Sequence, residues 1–587
     1  MNNKKLYSVR PVRDLKDMLA QSVALLGDRP AFVFRNTDGV MSEITYNTFG
    51  NHVKAFGTAL LNMGLKGKSI ALIGENRYEW CVTYLAVVNG VGTIVPLDKE
   101  LPVHDIQNLL RESRAEAVVF SGRHMDAVKE IKDLFPEVVH WICMDDTSEE
   151  WAISFAELIA KGERILSGGG NQFDSIAIDP DDAVILLFTS GTTGFAKGVL
   201  LSHRNICTVI TGVSATVKVT PEDRVLSVLP LHHTYECTLG FLTIIYSGAS
   251  IAFSDGLRHI PRNMKEYTPT ILVTVPLLLE NVYRKVWSQA EKEKGMKRKL
   301  VMGQVISGFL YNVLGVDIRR RLFDKIHQNF GGKLRLFITG AAAIDPSISR
   351  GFRKWGFSVL QGYGLTECSP LVAGNRDNAF RDDSAGIAIP GVEMKIHNPD
   401  KKGIGEIIVK GANVMKGYFK NIKETQRVLV DGWFHTGDLG RIDRRGFLYI
   451  TGRLKNVIVT KNGKNIFPEE LESYIKDSPF VGECIVYGEL DEKSGETHVK
   501  AQIFPNLDAI REKLKNVNLK IDTEEITEEI RKLFREVIRS VNRRLPLYKH
   551  IRFISIRESE FEKTTTRKIK RYSHHLQRIK DEFPVYP

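Results

Sequence analysis

From Met1 to Asp179 the chain switches repeatedly between two spacings of apolar residues. A spacing near 3.6 residues predicts helices around Val12 to Leu26, Tyr46 to Met63 and Tyr78 to Asn89. Short apolar runs predict strands at Ser69 to Ile73 and Thr93 to Val95. Helix and strand in alternation argue for a parallel sheet with covered faces. After the loop Ser167 to Gln172, the apolar run Ala183 to Phe188 predicts a buried strand, and GVLLSH from Gly198 a second one. A second α/β region extends from Ser202 to Ile344. From Gly405 to Ile450, short strands between glycine turns (GEIIVKG, GFLYITG) predict a small β-rich subdomain. Past Arg453 the chain becomes a basic, mixed α/β tail. Its helix from Thr523 to Arg543 carries Ile526, Ile530, Leu533, Phe534, Val537 and Val541 on one face, which must pack on a sheet. The fold class is α/β, with a domain boundary near Gly452 to Lys455.

One apolar segment breaks this pattern. Leu300 to Val316, LVMGQVISGFLYNVLGV, is shorter than the roughly 20 residues of a spanning helix and contains Gly, Gln and Asn, so it does not cross a bilayer. KEKGMKRK precedes it and Arg319, Arg320 and Arg321 follow. That is the pattern of an interfacial segment on anionic lipid, and equally that of a partly buried helix with solvated ends.

At 587 residues the chain is too long for one core, and roughly one domain per 150 residues predicts two to four structural units. Hydrophobic content of 43% and charged content of 26% are ordinary for a soluble fold, so a disordered chain is not the default expectation. Cys81, Cys143, Cys207, Cys237, Cys368 and Cys484 are scattered without a C-x-x-C pair, which fits a reducing compartment. The stretch MNNKKLYSVRPVRDLKDML lacks the apolar core of a signal peptide, so a cytoplasmic location is expected, with membrane association through Leu300 to Val316 as a hypothesis. A net charge of +12 admits nucleic acid, an anionic membrane or acidic small substrates. The basic clusters at Lys292 to Lys299, Arg319 to Arg321 and Lys563 to Arg571 accompany no nucleic-acid motif, and no nucleic-acid partner is expected.

The candidate chemistry begins in the loop after Phe188. Gly191 and Gly194 let backbone N–H groups approach an anion, Thr189, Ser190, Thr192 and Thr193 offer hydroxyls, and Lys197 adds charge. It is not a Walker loop, because Gly198 rather than Ser or Thr follows Lys197 and a strand rather than a helix comes next. LPLHHTYECT groups His232, His233 and Glu236, but Cys237 stands where an H-x-x-E-H zinc site needs its last histidine. LFITGAAAIDP sets small residues after a strand. QGYGLTEC lacks the third glycine of a dinucleotide fingerprint, and instead combines the ring of Tyr363, the hydroxyl of Thr366 and the carboxylate of Glu367. These suit a base, a phosphate and Mg²⁺ respectively. GWFHTGDLG carries Asp438, an acceptor for ribose hydroxyls. GRLKNVIVTKNGKNIFP holds Arg453, Lys455 and Gly463, and KTTTRKIKR holds Lys568.

In this order the motifs resemble the acyl-adenylate-forming ligases, and PLHHTYE with PTILVTVPLLLENVYRKV is most similar to the long-chain fatty acyl-CoA synthetases. The resemblance covers about Asp14 to Arg571. It implies a large N-terminal domain over residues 1–452, a hinge at 453–455 and a small mobile α+β domain over 456–587. It implies that Thr189 to Lys197 covers the ATP phosphates and that Gly340, Ala341, Ala342 and Tyr363 border adenine. Thr366 would reach the α-phosphate, Glu367 would ligate Mg²⁺, and Asp438 with Arg453 would hold the ribose. His233 falls at the mouth of the acyl site, Lys455 at the hinge, Gly463 beside the pantetheine arm, and Lys568 between carboxylate and α-phosphate. Arg567 stands where the family has glycine, which places the loop around Lys568 under a backbone restriction.

The activity so implied joins a fatty acid to coenzyme A through an acyl-AMP, with release of pyrophosphate and then AMP. An acidic acyl carrier protein is an alternative acceptor, and a non-catalytic module binding AMP or fatty acid is the alternative of another class.

Overall fold

The computed structural model describes residues 6–35, 39–189, 197–293, 295–460, 464–491, 496–513, 524–563, 569, 571 and 582–586. The chain forms two compact units. The first comprises Met1–Met394, Val409–Phe434 and Asp443–Leu448, and the second Lys395–Ile408, His435–Ile442 and Tyr449–Pro587.

The first unit is built on two large sheets. In one, Lys68–Ile73 lies parallel to both Gly92–Leu97 and Ala115–Phe120. The helices Val103–Ser113 and Met125–Ile131 place Ile106, Leu110, Val128 and Ile131 in one core with Ala71, Val95, Val118 and Phe120. In the other, Pro30–Arg35, Ser250–Phe253, Arg224–Ser227, Ile271–Thr274, Leu336–Thr339 and Ser358–Gly364 follow one another in parallel. Phe330, Phe337, Phe352, Trp355 and Phe357 fill its core. The expected alternation of helix and parallel strand is therefore what forms, because each strand needs a crossover helix to return to the same sheet edge.

Local chemistry moves some boundaries. The first helix is Leu15–Leu26, starting later than its apolar spacing suggests because the Asp14 side chain accepts the N–H of Asp17 at 2.7 Å and caps it. The helix expected to reach Asn89 is regular only over Tyr78–Ala86 and widens over Val87–Val91, where Gly90 takes φ +145°, a conformation open to glycine. Gly417–Tyr418, expected in the β-rich stretch, instead forms an edge strand pairing antiparallel with Lys197–Ser202. Leu300 to Val316 falls on the helix Met296–Leu314, and no helix among the described residues is long and apolar enough to cross a membrane.

In the second unit Val481–Asp491, Glu496–Pro505, Ile551–Ile556 and Glu582–Pro584 make a four-stranded sheet. The helix Glu524–Asn542 buries Ile530, Leu533, Phe534 and Val541 in its core, with Val537 half-buried. Ile538 is fully buried too and widens the expected face, whereas the Ile526 side chain lies outside the described residues.

Candidate functional site

The apolar run Ala183–Thr189 and the segment Lys197–Ser202 are the two arms of an antiparallel hairpin. Thr189 stands opposite Lys197, and its hydroxyl donates to the Lys197 carbonyl at 3.3 Å. The hydroxyl- and glycine-rich stretch is thus closed at its base by two of its own site residues. Ser190, Gly191, Thr192, Thr193 and Gly194 lie outside the described residues.

Lys197 leads to a second site residue through a tyrosine. Its ammonium sits 5.2 Å from the centre of the Tyr418 ring and 2.6 Å from Oε1 of Glu424. The Tyr418 hydroxyl donates to Oε1 of Glu367 at 2.8 Å. Burial, with the carboxylate it serves, raises the Tyr418 phenol above its ordinary range, so it stays a donor. Hydrogen bonds from Arg427 and then Lys197 hold Glu424 down to about 2. Glu367 lies on the short helical turn Thr366–Cys368, and its carbonyl accepts from the Met415 N–H at 2.8 Å. No group of three or more His, Cys, Asp or Glu side chains able to hold a metal gathers among the described residues. Glu367 nonetheless fits a hard cation that draws its other ligands from phosphates and water, as Mg²⁺ does, since Tyr418 fixes only one of its oxygens.

Gly340 to Ala342 and Tyr363 come together because Leu336–Thr339 and Ser358–Gly364 are adjacent parallel strands, with Thr339 beside Gln361. Gln361 Oε1 accepts the Ile344 N–H at 3.3 Å and ties the small-residue loop to the neighbouring strand. Ala341 takes φ +68°, a strained value for a residue with a Cβ and one that clusters at functional sites. Ala341 and Ala342 are exposed, while Tyr363 is buried. A ring laid on this ledge would lie against backbone and the methyl groups of Ala341 and Ala342, beside the Tyr235 ring that closes on Gly340.

The rings of His232 and His233 lie 4.1 Å apart between centres and are tilted by 50° to one another. Burial holds His233 down to about 4 and His232 well below its ordinary value, so both are neutral near pH 7. Asn76 fixes the segment before them, donating to Ser227 Oγ at 2.8 Å and the Leu229 carbonyl at 2.6 Å and accepting from the Leu231 N–H. Ser227 in turn donates to Glu236 at 2.6 Å, and complete burial pushes that carboxyl up to about 8.

In the second unit Asp438 is buried, and Arg453 Nε lies 2.7 Å from its Oδ1. The turn before Asp438 is tight. Gly437 takes φ +69° while its N–H and the imidazole of His435 both reach Glu406, at 2.9 Å and 2.7 Å. Lys455 is exposed on the single turn Leu454–Asn456. Gly463 and Lys568 lie outside the described residues.

Thr189, Lys197 and Glu367 are thereby linked within the first unit, Gly340, Ala341, Ala342 and Tyr363 share neighbouring strand ends, and Asp438 pairs with Arg453. Motif reading missed Tyr418, Glu424, Asn76 and Glu406. Tyr418 and Glu424 lie in GYFKNIKETQ, whose only signals are an aromatic after glycine and a charged helix start, and neither points to a partner so far away in the chain.

Residues 19–419 match the family model described as AMP-binding enzyme. The chain is 32% identical over 529 residues to long-chain-fatty-acid–CoA ligase 5 of Rattus norvegicus, covering 83% of this chain and 75% of that protein. It is 27% identical over 535 residues to fatty acyl-CoA synthetase B of Dictyostelium discoideum, covering 85% and 78%. Its fold superposes with a TM-score of 0.74 on the crystal structure of the anthranilate CoA ligase AuaEII in complex with anthranoyl-AMP, at 20% identity and 96% coverage of each chain.

Proposed function

This chain belongs to the AMP-binding enzyme family, and from that premise we propose that it is an AMP-forming long-chain fatty acid–CoA ligase. It activates a fatty acid with ATP and passes the acyl group to coenzyme A. A carboxylate is inert to thiols because its leaving group would be oxide. In the first half-reaction a carboxylate oxygen bonds to the α-phosphorus of ATP as the bond to pyrophosphate breaks. In the second, the coenzyme A sulfur bonds to the acyl carbonyl, loses its proton to solvent, and expels AMP.

The hydroxyls of Thr189, Ser190, Thr192 and Thr193 with Lys197 hold the phosphates, whose charge shifts toward the leaving pyrophosphate. Lys197 exchanges Glu424 for phosphate when ATP enters. Adenine lies on the ledge of Gly340 to Ala342 with its face toward Tyr363, Thr366 donates to the α-phosphate, and Asp438, steadied by Arg453, accepts the ribose hydroxyls. Glu367 would hold Mg²⁺, which when bound would neutralise phosphate charge. Neutral His233 stands at the mouth of the acyl site without repelling or trapping the carboxylate. Lys568 bridges the carboxylate and the α-phosphate in the first half-reaction. Residues 456–587 then turn about Lys455 and bring Gly463 to the pantetheine arm.

The observation that supports this reading best is the meeting of Lys197 and Glu367 on one tyrosine, a phosphate-binding cation and a cation-binding carboxylate held a ring apart. A pyrophosphate-release screen over acids from acetate to oleate, with and without coenzyme A, tests it. Release with long-chain acids and acyl-CoA formation only with coenzyme A is the expected result. Absence of pyrophosphate with every acid would leave a binding module, and acyl transfer to acyl carrier protein but not to coenzyme A would change the acceptor.

A further inference from the structure

The helix Met296–Leu314 begins and ends at glycines in the left-handed region, Gly295 at φ +81° and Gly315 at φ +69°. Gly303 and Ser307 are buried on its inner side, and Leu300 packs against the aromatic core around Phe337, Phe352 and Trp355. Its other side is apolar and open to solvent: Val305 is 66% exposed, Phe309 59% and Val313 62%, with Val301, Met302 and Ile306 alongside. At about 100° per residue these six fall within one arc of about 140°. Where the helix meets the end of Pro276–Lys292, Ala290, Val301, Met302 and Val305 line a groove of about 810 Å³ with Glu291, Glu293, Lys297 and Arg298 at its edge.

Charge decides what covers this face. Arg298 and Lys299 are exposed at the start of the helix, and Arg321 is exposed just past its end. Lys297 is paired with Glu291 and Arg319 with Asp317. A second copy of the chain laid on this face, in either direction, sets basic ends against basic ends. An anionic lipid surface meets both ends with opposite charge while its acyl region takes the apolar arc.

We propose that the helix Met296–Leu314 is an interfacial docking element that lies in the headgroup layer of an anionic bilayer. Val301, Met302, Val305, Ile306, Phe309 and Val313 enter the acyl boundary, and Arg298, Lys299 and Arg321 meet lipid phosphates. The surface stands on its own geometry, apart from the catalytic reading.

The test is flotation of the full chain with vesicles of phosphatidylglycerol and phosphatidylcholine, or of phosphatidylcholine alone, alongside the paired variants V305E/F309E and R298E/K299E. All four positions are exposed, so circular dichroism should match the wild type. Binding to the anionic vesicles, weaker at high salt and lowered on the order of tenfold or more in each variant, is the expected result. Wild-type protein that stays with the unbound fraction, or variants that float as well as wild type, would overturn the proposal. So would a concentration-dependent dimer abolished by V305E/F309E without any vesicle binding, which would make the face a self-association surface.

Discussion

Tyr418 donates its hydroxyl to Oε1 of Glu367 at 2.8 Å, and the ammonium of Lys197 lies over the same ring. The tyrosine reaches both because its short strand pairs with Lys197–Ser202, with Tyr418 opposite Val199. One aromatic side chain therefore sets the spacing between a cation and a carboxylate that approach from different parts of the chain.

Replacing Tyr418 by Phe keeps the ring and removes the donor. A hydrogen bond to a charged group contributes about 1.5–3 kcal/mol, so Glu367 should lose its fixed orientation and the Mg²⁺ concentration for half-maximal pyrophosphate release should rise about tenfold. An unchanged Mg²⁺ requirement would show that the hydroxyl does not orient Glu367.

Asp438→Ala should raise KM for ATP by roughly ten- to a hundred-fold, the range expected for lost carboxylate hydrogen bonds. The specific readout is sugar discrimination. Wild-type enzyme should prefer ATP over 2′-deoxy-ATP, and the variant should use both alike; retained preference would move ribose recognition away from Asp438.

Glu236 makes stability depend on pH. Its buried carboxyl titrates at about 8 against an ordinary 4.5, with Cys81, Cys237 and Tyr235 as its titratable neighbours. Between those values the folded chain holds a proton that the unfolded chain has released. The stabilisation is whole below pH 4.5 and declines as pH climbs toward 8, by at most about 1.4 kcal/mol per pH unit. Glu236→Gln keeps the shape and cannot ionise, so its unfolding temperature should exceed that of the wild type at pH 8 and approach it at pH 5. Parallel curves would mean that Glu236 is already ionised in the fold.

Lys568→Ala should slow acyl-adenylate formation far more than thioester formation from supplied acyl-adenylate. Lys455→Pro should do the reverse, because proline restricts the dihedral that the hinge must change. Separate assays of the two half-reactions read this directly, and equal losses in both would count against a turning hinge.

Much of the architecture was legible from local pattern. The arms of the hairpin at Ala183–Thr189 and Lys197–Ser202 are marked by apolar runs, and the face of Glu524–Asn542 by its spacing. Boundaries were less legible where one side chain or one glycine decides them, as Asp14 does for the first helix and Gly90 for the third. Periodicity located the segment Leu300 to Val316 but could not say which side faces water, since that depends on what the helix packs against.

What this sequence determined alone is the identity and order of its chemical groups and the strands and turns that carry them, because these depend on neighbours a few residues away. The partners of those groups were decided by the tertiary path. Tyr418 at Glu367, Glu424 at Lys197 and Asn76 beneath the histidine segment are each set by strand pairing and burial between stretches remote in the chain. Such a hydrogen bond contributes most where folding has excluded water and fixed both ends, and no local pattern of residues records where that happens.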